Sequence, residues 1–287
     1  MGNNSITVSF NSELFKTFDD IKLFEQSFTP EVDPKGVIVF LHGLTEHSGC
    51  YTKISRLIAS HNYAVSLFDI RGHGKSDGPL VFLDSFDDYV DDLSVFFDLV
   101  KKRFPQKPLF LLGQGMGGLI SALYIVEKKP EARGLILSAP ALNIREVMPW
   151  FLKKIFWAFG ILFPRWPLIK ISPDALSKDL DVLQELDRDP LVYHGKIYNR
   201  TWLELIRASK AVRQRCKEIQ IPVLIFHSRE DQITGFEAGQ EMYAKIGSDD
   251  KTLKLYEGLS HLLLLENEDK RVVKDIIQWM DSRVRTS

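Results

Sequence analysis

Cysteine is scarce in this chain. Two residues, Cys50 and Cys216, stand in 287, too few for a disulfide framework, so a reducing compartment and a cytoplasmic protein are expected. Charge of one sign is lacking too. The chain carries 37 Lys and Arg against 38 Asp and Glu, a net charge of −1, which argues against a nucleic-acid partner. No run of about 18 apolar residues occurs, so no transmembrane helix is expected. The opening stretch MGNNSITVSF lacks the apolar core of a secretory signal. Ile6 stands where the N-myristoylation pattern needs Ser or Thr.

What is present is an alternation of buried strands and amphipathic helices. Two short β-like runs open the chain, around 5–10 and 21–28. GVIVFLHG (36–43) is a continuous apolar run ending in Gly, the pattern of a buried parallel strand. YAVSLFDI (63–70) is a second buried strand, and PLFLLG (108–113), GLILSAP (134–140), VLIFHS (223–228) and TLKLYEG (252–258) read as four further strands. Between them, Tyr89, Val90, Leu93, Phe96, Phe97 and Val100 recur at helical spacing, and residues 51–61, 117–128 and the segment around Val272–Met280 also read as helices. This order implies a mostly parallel sheet with helices on both faces. It breaks between 141 and 210, where helix-like and Pro-interrupted segments predominate. The expectation is a core of 1–140 and 211–287, with 141–210 inserted as a cap over the carboxyl ends of the strands, where such sheets bind ligands.

The stretch LLGQGMGGLIS (111–121) admits two readings. Gly113, Gly115 and Gly118 spell G-x-G-x-x-G, a dinucleotide fingerprint. That reading also needs an acidic residue at the end of the next strand for a ribose hydroxyl, and this strand ends Ser138-Ala139-Pro140. With Ser at 115 the same stretch would be G-x-S-x-G, the turn that presents a serine nucleophile. A serine hydrolase on such a sheet follows the order nucleophile, acid, base, each after a strand. Asp231 follows the strand at 223–228 and His261 follows the strand at 252–258. Backbone amides of Leu44 and Met116, after the early strand and after position 115, are the expected oxyanion donors.

FLHGLTEHSGCY (40–51), FDIRGHGKSDG (68–78), FDDYVDDL, GLILSAPAL and DPLVY (189–193) resemble stretches of the monoacylglycerol lipase and lysophospholipase branch of the α/β hydrolases. The resemblance covers almost the whole chain. It implies an α/β-hydrolase fold with a helical cap, a lipid substrate with one long acyl chain, and no metal or other cofactor. It also implies G-x-S-M-G-G at the elbow. Here the elbow reads Gly113-Gln114-Gly115-Met116-Gly117-Gly118, so the nucleophile position is Gly115, a residue with no side-chain oxygen. Two origins are open: an engineered inactive variant of an ester hydrolase, or a natural non-catalytic protein that binds lipid or serves as a scaffold.

Other groups have plainer readings. His42, His73 and Asp69 shape their loops, and neither Cys50 nor Ser121 lies at the tip of the turn. Residues 147–171 carry Trp150, Trp157, Phe163 and Trp166 among basic residues. They are expected to form an apolar lid around the acyl chain, able to make peripheral contact with a membrane surface.

Overall fold

The computed structural model describes residues 6–143, 162–266 and 270–284. Its centre is an eight-stranded sheet. The strands are β1 (Val8–Lys16), β2 (Lys22–Pro30), β3 (Val37–Leu41), β4 (Ala64–Phe68), β5 (Leu109–Gln114), β6 (Gly134–Ser138), β9 (Val223–Ser228) and β10 (Lys251–Tyr256), with β7 (Pro167–Ile169) and β8 (Ile197–Tyr198) outside the sheet. The spatial order is β1-β2-β4-β3-β5-β6-β9-β10. Pairing is antiparallel for β1–β2 and β2–β4 and parallel from β4 onward. This is the α/β-hydrolase architecture, and the six strands read from the sequence after the opening pair are the six parallel ones, five of them buried throughout and β10 half-buried. The opening pair departs from its expected bounds. β1 continues to Lys16 because β2 offers partners throughout, with Leu14 opposite Phe24 and Lys16 opposite Lys22.

Side-chain alternation divides the interior into two layers. Val37, Val39 and Leu41 face one side, with Leu93 and Phe96 of helix α2 (Asp87–Arg103) and Leu119 and Leu123 of α3 (Met116–Lys128). Ile38 and Phe40 face the other, with Ile54 and Ile58 of α1 (Thr52–Ala59) and Val272, Ile276 and Met280 of the C-terminal helix Arg271–Val284. α2 also has Asp87 and Asp88 in its first turn and Lys101, Lys102 and Arg103 in its last, complementing the helix dipole at both ends.

After β6 the described residues include the helices Pro173–Leu176 and Leu180–Arg188 and a two-stranded ribbon, β7 (Pro167–Ile169) with β8 (Ile197–Tyr198). The ribbon, three residues in β7 and two in β8, is too short to read as a buried strand. The helix Asn199–Arg215 runs straight through the expected boundary at 210. Its Leu205, Ala208 and Val212 join the layer that contains α3. Residues of this segment bond to the loops after β3 and β10: Tyr193 N–H donates to Thr45 O at 2.9 Å and Leu262 N–H to Leu176 O at 3.1 Å.

The start of α3 lies hard against β3. A Cβ added to Gly117 would stand 2.4 Å from Leu41 O and 2.6 Å from His42 O, both backbone atoms. Gly117→Ala is therefore expected to destabilise the protein by about 1–3 kcal/mol, the usual cost of overpacking a rigid site. Chemical denaturation of the folded variant checks this, and a neutral result would place α3 further from β3 than described.

Candidate active site

Three loops meet at the carboxyl edge of the sheet. The sharpest is the turn from β5 into α3. Gly115 has φ 52° and ψ −112°, a region costly for any residue with a side chain. Backbone bonds hold the turn on both sides. Gly115 N–H donates to Ser138 O at 2.9 Å, while Gly115 O accepts Ala141 N–H at 2.9 Å and Leu119 N–H at 3.2 Å. A Cβ built on Gly115 would lie 3.3 Å from His261 Nε2, 3.8 Å from His261 Cε1 and 3.9 Å from Gly43 Cα. Position 115 thus aims its missing side chain at the imidazole.

His261 leaves the loop after β10, and its Nδ1 lies 2.8 Å from Asp231 Oδ2. An ionised carboxylate only accepts, so the imidazole carries its proton on Nδ1 and presents a lone pair at Nε2. Asp231 is fixed in turn. Its Oδ1 accepts the amides of Ile233 at 2.7 Å and Thr234 at 3.1 Å, and its Oδ2 accepts the Thr234 hydroxyl at 2.8 Å. Burial opposes charge on Asp231, but His261, His227 and the Thr234 amide outweigh it and hold the carboxyl far below the usual range. Burial likewise opposes charge on His261, yet Asp231, Glu46 and Glu266 prevail and raise the imidazole above its ordinary value. The pair is arranged to receive a proton at Nε2 and stabilise the cation that results.

Among the described residues, the amides of Leu44 and Met116 have no protein acceptor. Met116 is the first residue of α3, so the helix dipole adds to its amide. The loop before Leu44 is braced by Glu46, whose Oε2 accepts Gly43 N–H at 2.9 Å and also the Tyr51 hydroxyl. Burial pushes the Glu46 carboxyl up.

The structure thus brings together Gly115, Asp231, His261, Leu44 and Met116. It also supplies positioning groups that the sequence reading did not single out. Gln114 Nε2 donates to His261 O at 3.0 Å and its Oε1 accepts the Ser138 hydroxyl. Thr234 clamps Asp231, and Glu266 accepts Ser260 N–H at 2.9 Å beside His261 and the Ser177 hydroxyl at 2.6 Å. Only Thr234 had a local signal, since an Asp three residues before a Thr often closes a side-chain-to-backbone turn. Of the expected lid residues, Phe163 and Trp166 are 51% and 54% exposed. Trp150 and Trp157 lie outside the described residues.

The competing groups are committed elsewhere. Ser121 donates to Gly117 O at 2.8 Å, and burial keeps the Cys50 thiol protonated. His42 Nε2 accepts Ile70 N–H at 2.9 Å, and Asp69 accepts the amides of Ser48 and Lys75. His47, Cys50 and Asp189 bring ligand-type atoms within 4.8 Å of one another. However, His47 already accepts Gly49 N–H at Nδ1 and lies 2.9 Å from Asp189 at Nε2, a ring satisfied on both sides without a metal. No carboxylate follows Ser138, so a dinucleotide ribose has no partner at the end of β6.

Fold and site geometry together define an α/β hydrolase. Residues 32–268 match the family Hydrolase_4, described as "Serine aminopeptidase, S33", and the chain belongs to that family. It is 30% identical over 264 residues to a monoacylglycerol lipase of Mycolicibacterium smegmatis, covering 92% of this chain and 94% of the relative. It is 33% identical over 288 residues to the caffeoylshikimate esterase of Arabidopsis thaliana, covering 96% and 86%. In three dimensions it resembles a soluble variant of the monoglyceride lipase of Saccharomyces cerevisiae, solved with a substrate analogue. The TM-score is 0.81 at 21% identity, over 99% of this chain and 97% of the other.

The backbone at 115 yields a stability prediction. Strain in this region costs a side-chain-bearing residue about 1–3 kcal/mol, against about 0.5–1 kcal/mol of extra chain entropy for Gly relative to Ala. Gly115→Ser is expected to unfold at lower denaturant than the Gly115 protein, by about 1 kcal/mol. A clearly more stable serine form would contradict the strained turn.

Proposed function

We propose that this chain is built as a carboxylic ester hydrolase for a lipid carrying one long acyl chain, with Asp231 as the acid, His261 as the base and position 115 as the site of the nucleophile. The observation that carries the reading is the imidazole of His261, buried, oriented by Asp231 and facing the Cβ position of residue 115 at 3.3 Å. With Ser at 115, its oxygen would attack the ester carbonyl while His261 took its proton and later gave it to the leaving alcohol. Leu44 and Met116 amides would receive the negative oxygen.

A cavity of about 360 Å³ beside this site suits an acyl chain. Leu176, Leu183, Val192 and Leu262 give it apolar lining, Thr45 and Glu46 line it next to Leu44, and Lys170, Gln184 and Asp187 add polar groups. The monoacylglycerol lipase and monoglyceride lipase relatives support a glycerol-linked substrate. We take residues 141–198 as the cap, with the core resuming at Asn199, where a single helix packs onto α3. Among the described residues no helix is long and apolar enough to cross a membrane. Leu162, Phe163 and Trp166 are nevertheless exposed on one short stretch of the cap, beside Arg165 and Lys170, which fits peripheral contact of a cytoplasmic protein with a lipid surface.

Gly115 itself favours a second reading, a natural lipid-binding protein that has given up turnover. One experiment separates the two. Loss of a serine nucleophile costs on the order of a million-fold in turnover. Gly115→Ser is therefore expected to raise hydrolysis of monoacylglycerols by several orders of magnitude. Its rate should fall at acid pH, because the base acts only when neutral. The raised imidazole puts that fall above the ordinary histidine value of 6.5. A folded Gly115→Ser protein that hydrolyses neither monoacylglycerols, lysophospholipids nor short p-nitrophenyl esters would overturn the hydrolase reading.

The lid has its own test. Flotation with phosphatidylcholine–phosphatidylserine vesicles is expected to recover the Gly115 protein, and less of the Phe163→Glu and Trp166→Glu variants. Equal recovery of all three would leave these aromatics without a membrane role.

A further inference from the structure

We infer that the chain with Gly115 hydrolyses esters in a single displacement, using water in the place of the missing hydroxyl and His261 as its base. The inference rests on the reading of the site given above.

Every group the single-displacement route needs is present. Glycine leaves open the space between its Cα and the imidazole, and His261 Nε2 is the first atom a Cβ there would meet, at 3.3 Å. A carboxylate that can only accept fixes the proton on Nδ1, so Nε2 offers a lone pair into that space. Among the described residues, no protein group takes up this lone pair. The Leu44 and Met116 amides are likewise unspent. The site therefore keeps its base and its oxyanion donors, and it has room for a small oxygen nucleophile between them.

The step balances without any other reactant. The water oxygen bonds to the ester carbonyl carbon as one water proton passes to His261 Nε2, and the carbonyl oxygen takes the negative charge toward the two amides. The intermediate then collapses. The bond to the leaving oxygen breaks, that oxygen takes the proton from Nε2, and a carboxylic acid and an alcohol depart. No acyl-protein forms. Serine at 115 would run two such displacements through its own oxygen. Alanine would do neither, because its methyl would occupy the space that water needs.

This distinguishes glycine from an ordinary knockout. In a serine protease, removing the nucleophile costs about as much as removing the whole triad, so the histidine adds little once the serine is gone. Here the histidine is expected to keep its value as long as residue 115 is glycine.

The test compares the Gly115 protein with Gly115→Ala, His261→Gln and Gly115→Ser. Each is checked for folding by circular dichroism and assayed on p-nitrophenyl butyrate and a monoacylglycerol. The Gly115 protein should exceed buffer alone and lose about 100-fold in both Gly115→Ala and His261→Gln, the lower end of what a positioned base supplies. Intact-mass measurement during turnover should show no acyl adduct on it. Equal rates in the Gly115, Gly115→Ala and His261→Gln proteins would overturn the inference, since the residue would then come from the oxyanion donors alone. So would an acyl adduct, or a Gly115 rate no higher than buffer. If Gly115→Ala fails to fold, His261→Gln decides alone. An active Gly115→Ser beside an inert Gly115 protein removes only this inference, whereas an inactive Gly115→Ser removes the reading of the site.

Discussion

The turn at residue 115 is the constraint on which the site depends. It must reverse the chain from β5 into α3 within one residue, at φ 52° and ψ −112°. It does so because three backbone hydrogen bonds hold Gly115 between Ser138, Ala141 and Leu119. The tight seating of Gly117 against Leu41 and His42 then brings the start of α3 to the loop that carries Leu44. The same turn therefore sets the helix N-terminus, the amide of Met116 and the direction of residue 115. A backbone so fully determined does not require serine. It keeps its shape with glycine, the residue for which that shape costs least.

The acid and base are built with equal care around a position that has no side chain. Asp231 accepts three hydrogen bonds besides its contact with His261. Gln114 and Glu266 brace the loop on either side of the base. A buried carboxylate of this kind stabilises the protein only while it is ionised. Its folded pKa is depressed, so its contribution is present above the ordinary aspartate range and is lost as pH falls through the depressed value. His261 has the opposite sign. Its folded pKa is raised, so its pairing stabilises most below the ordinary histidine value and fades as pH rises through the folded one. The pairing is an electrostatic unit that persists whether or not residue 115 carries an oxygen.

Much of this was legible in the sequence, for identifiable reasons. Buried parallel strands such as Val37–Leu41 and Leu109–Gln114 are continuous apolar runs, and strand order alone directs attention to the loops that carry Asp231 and His261, whose side chains lie 2.8 Å apart. The glycine-rich stretch could not be resolved from its own letters. It took the missing acid after Ser138 and the two later loops to choose the hydrolase turn over the dinucleotide one. The helix Asn199–Arg215 crosses position 210 without a signal in the sequence, because it carries many charged residues and its apolar side, with Leu205, Ala208 and Val212, shows only in its packing beside α3. Glu46, Gln114 and Glu266 were invisible because each works through a contact that no local pattern encodes. Gln114 and Glu266 reach partners on other elements, and Glu46 folds back on its own loop.

The central claim is that residue 115 occupies the nucleophile position of an otherwise complete hydrolase site. The most direct measurement is covalent labelling of Gly115→Ser with an alkyl fluorophosphonate, followed by mass spectrometry of the peptide that contains residue 115. The account predicts one adduct per chain on Ser at 115, and its near-loss when His261→Gln is added. A folded Gly115→Ser protein that takes up no label, or carries it on another residue, would contradict it.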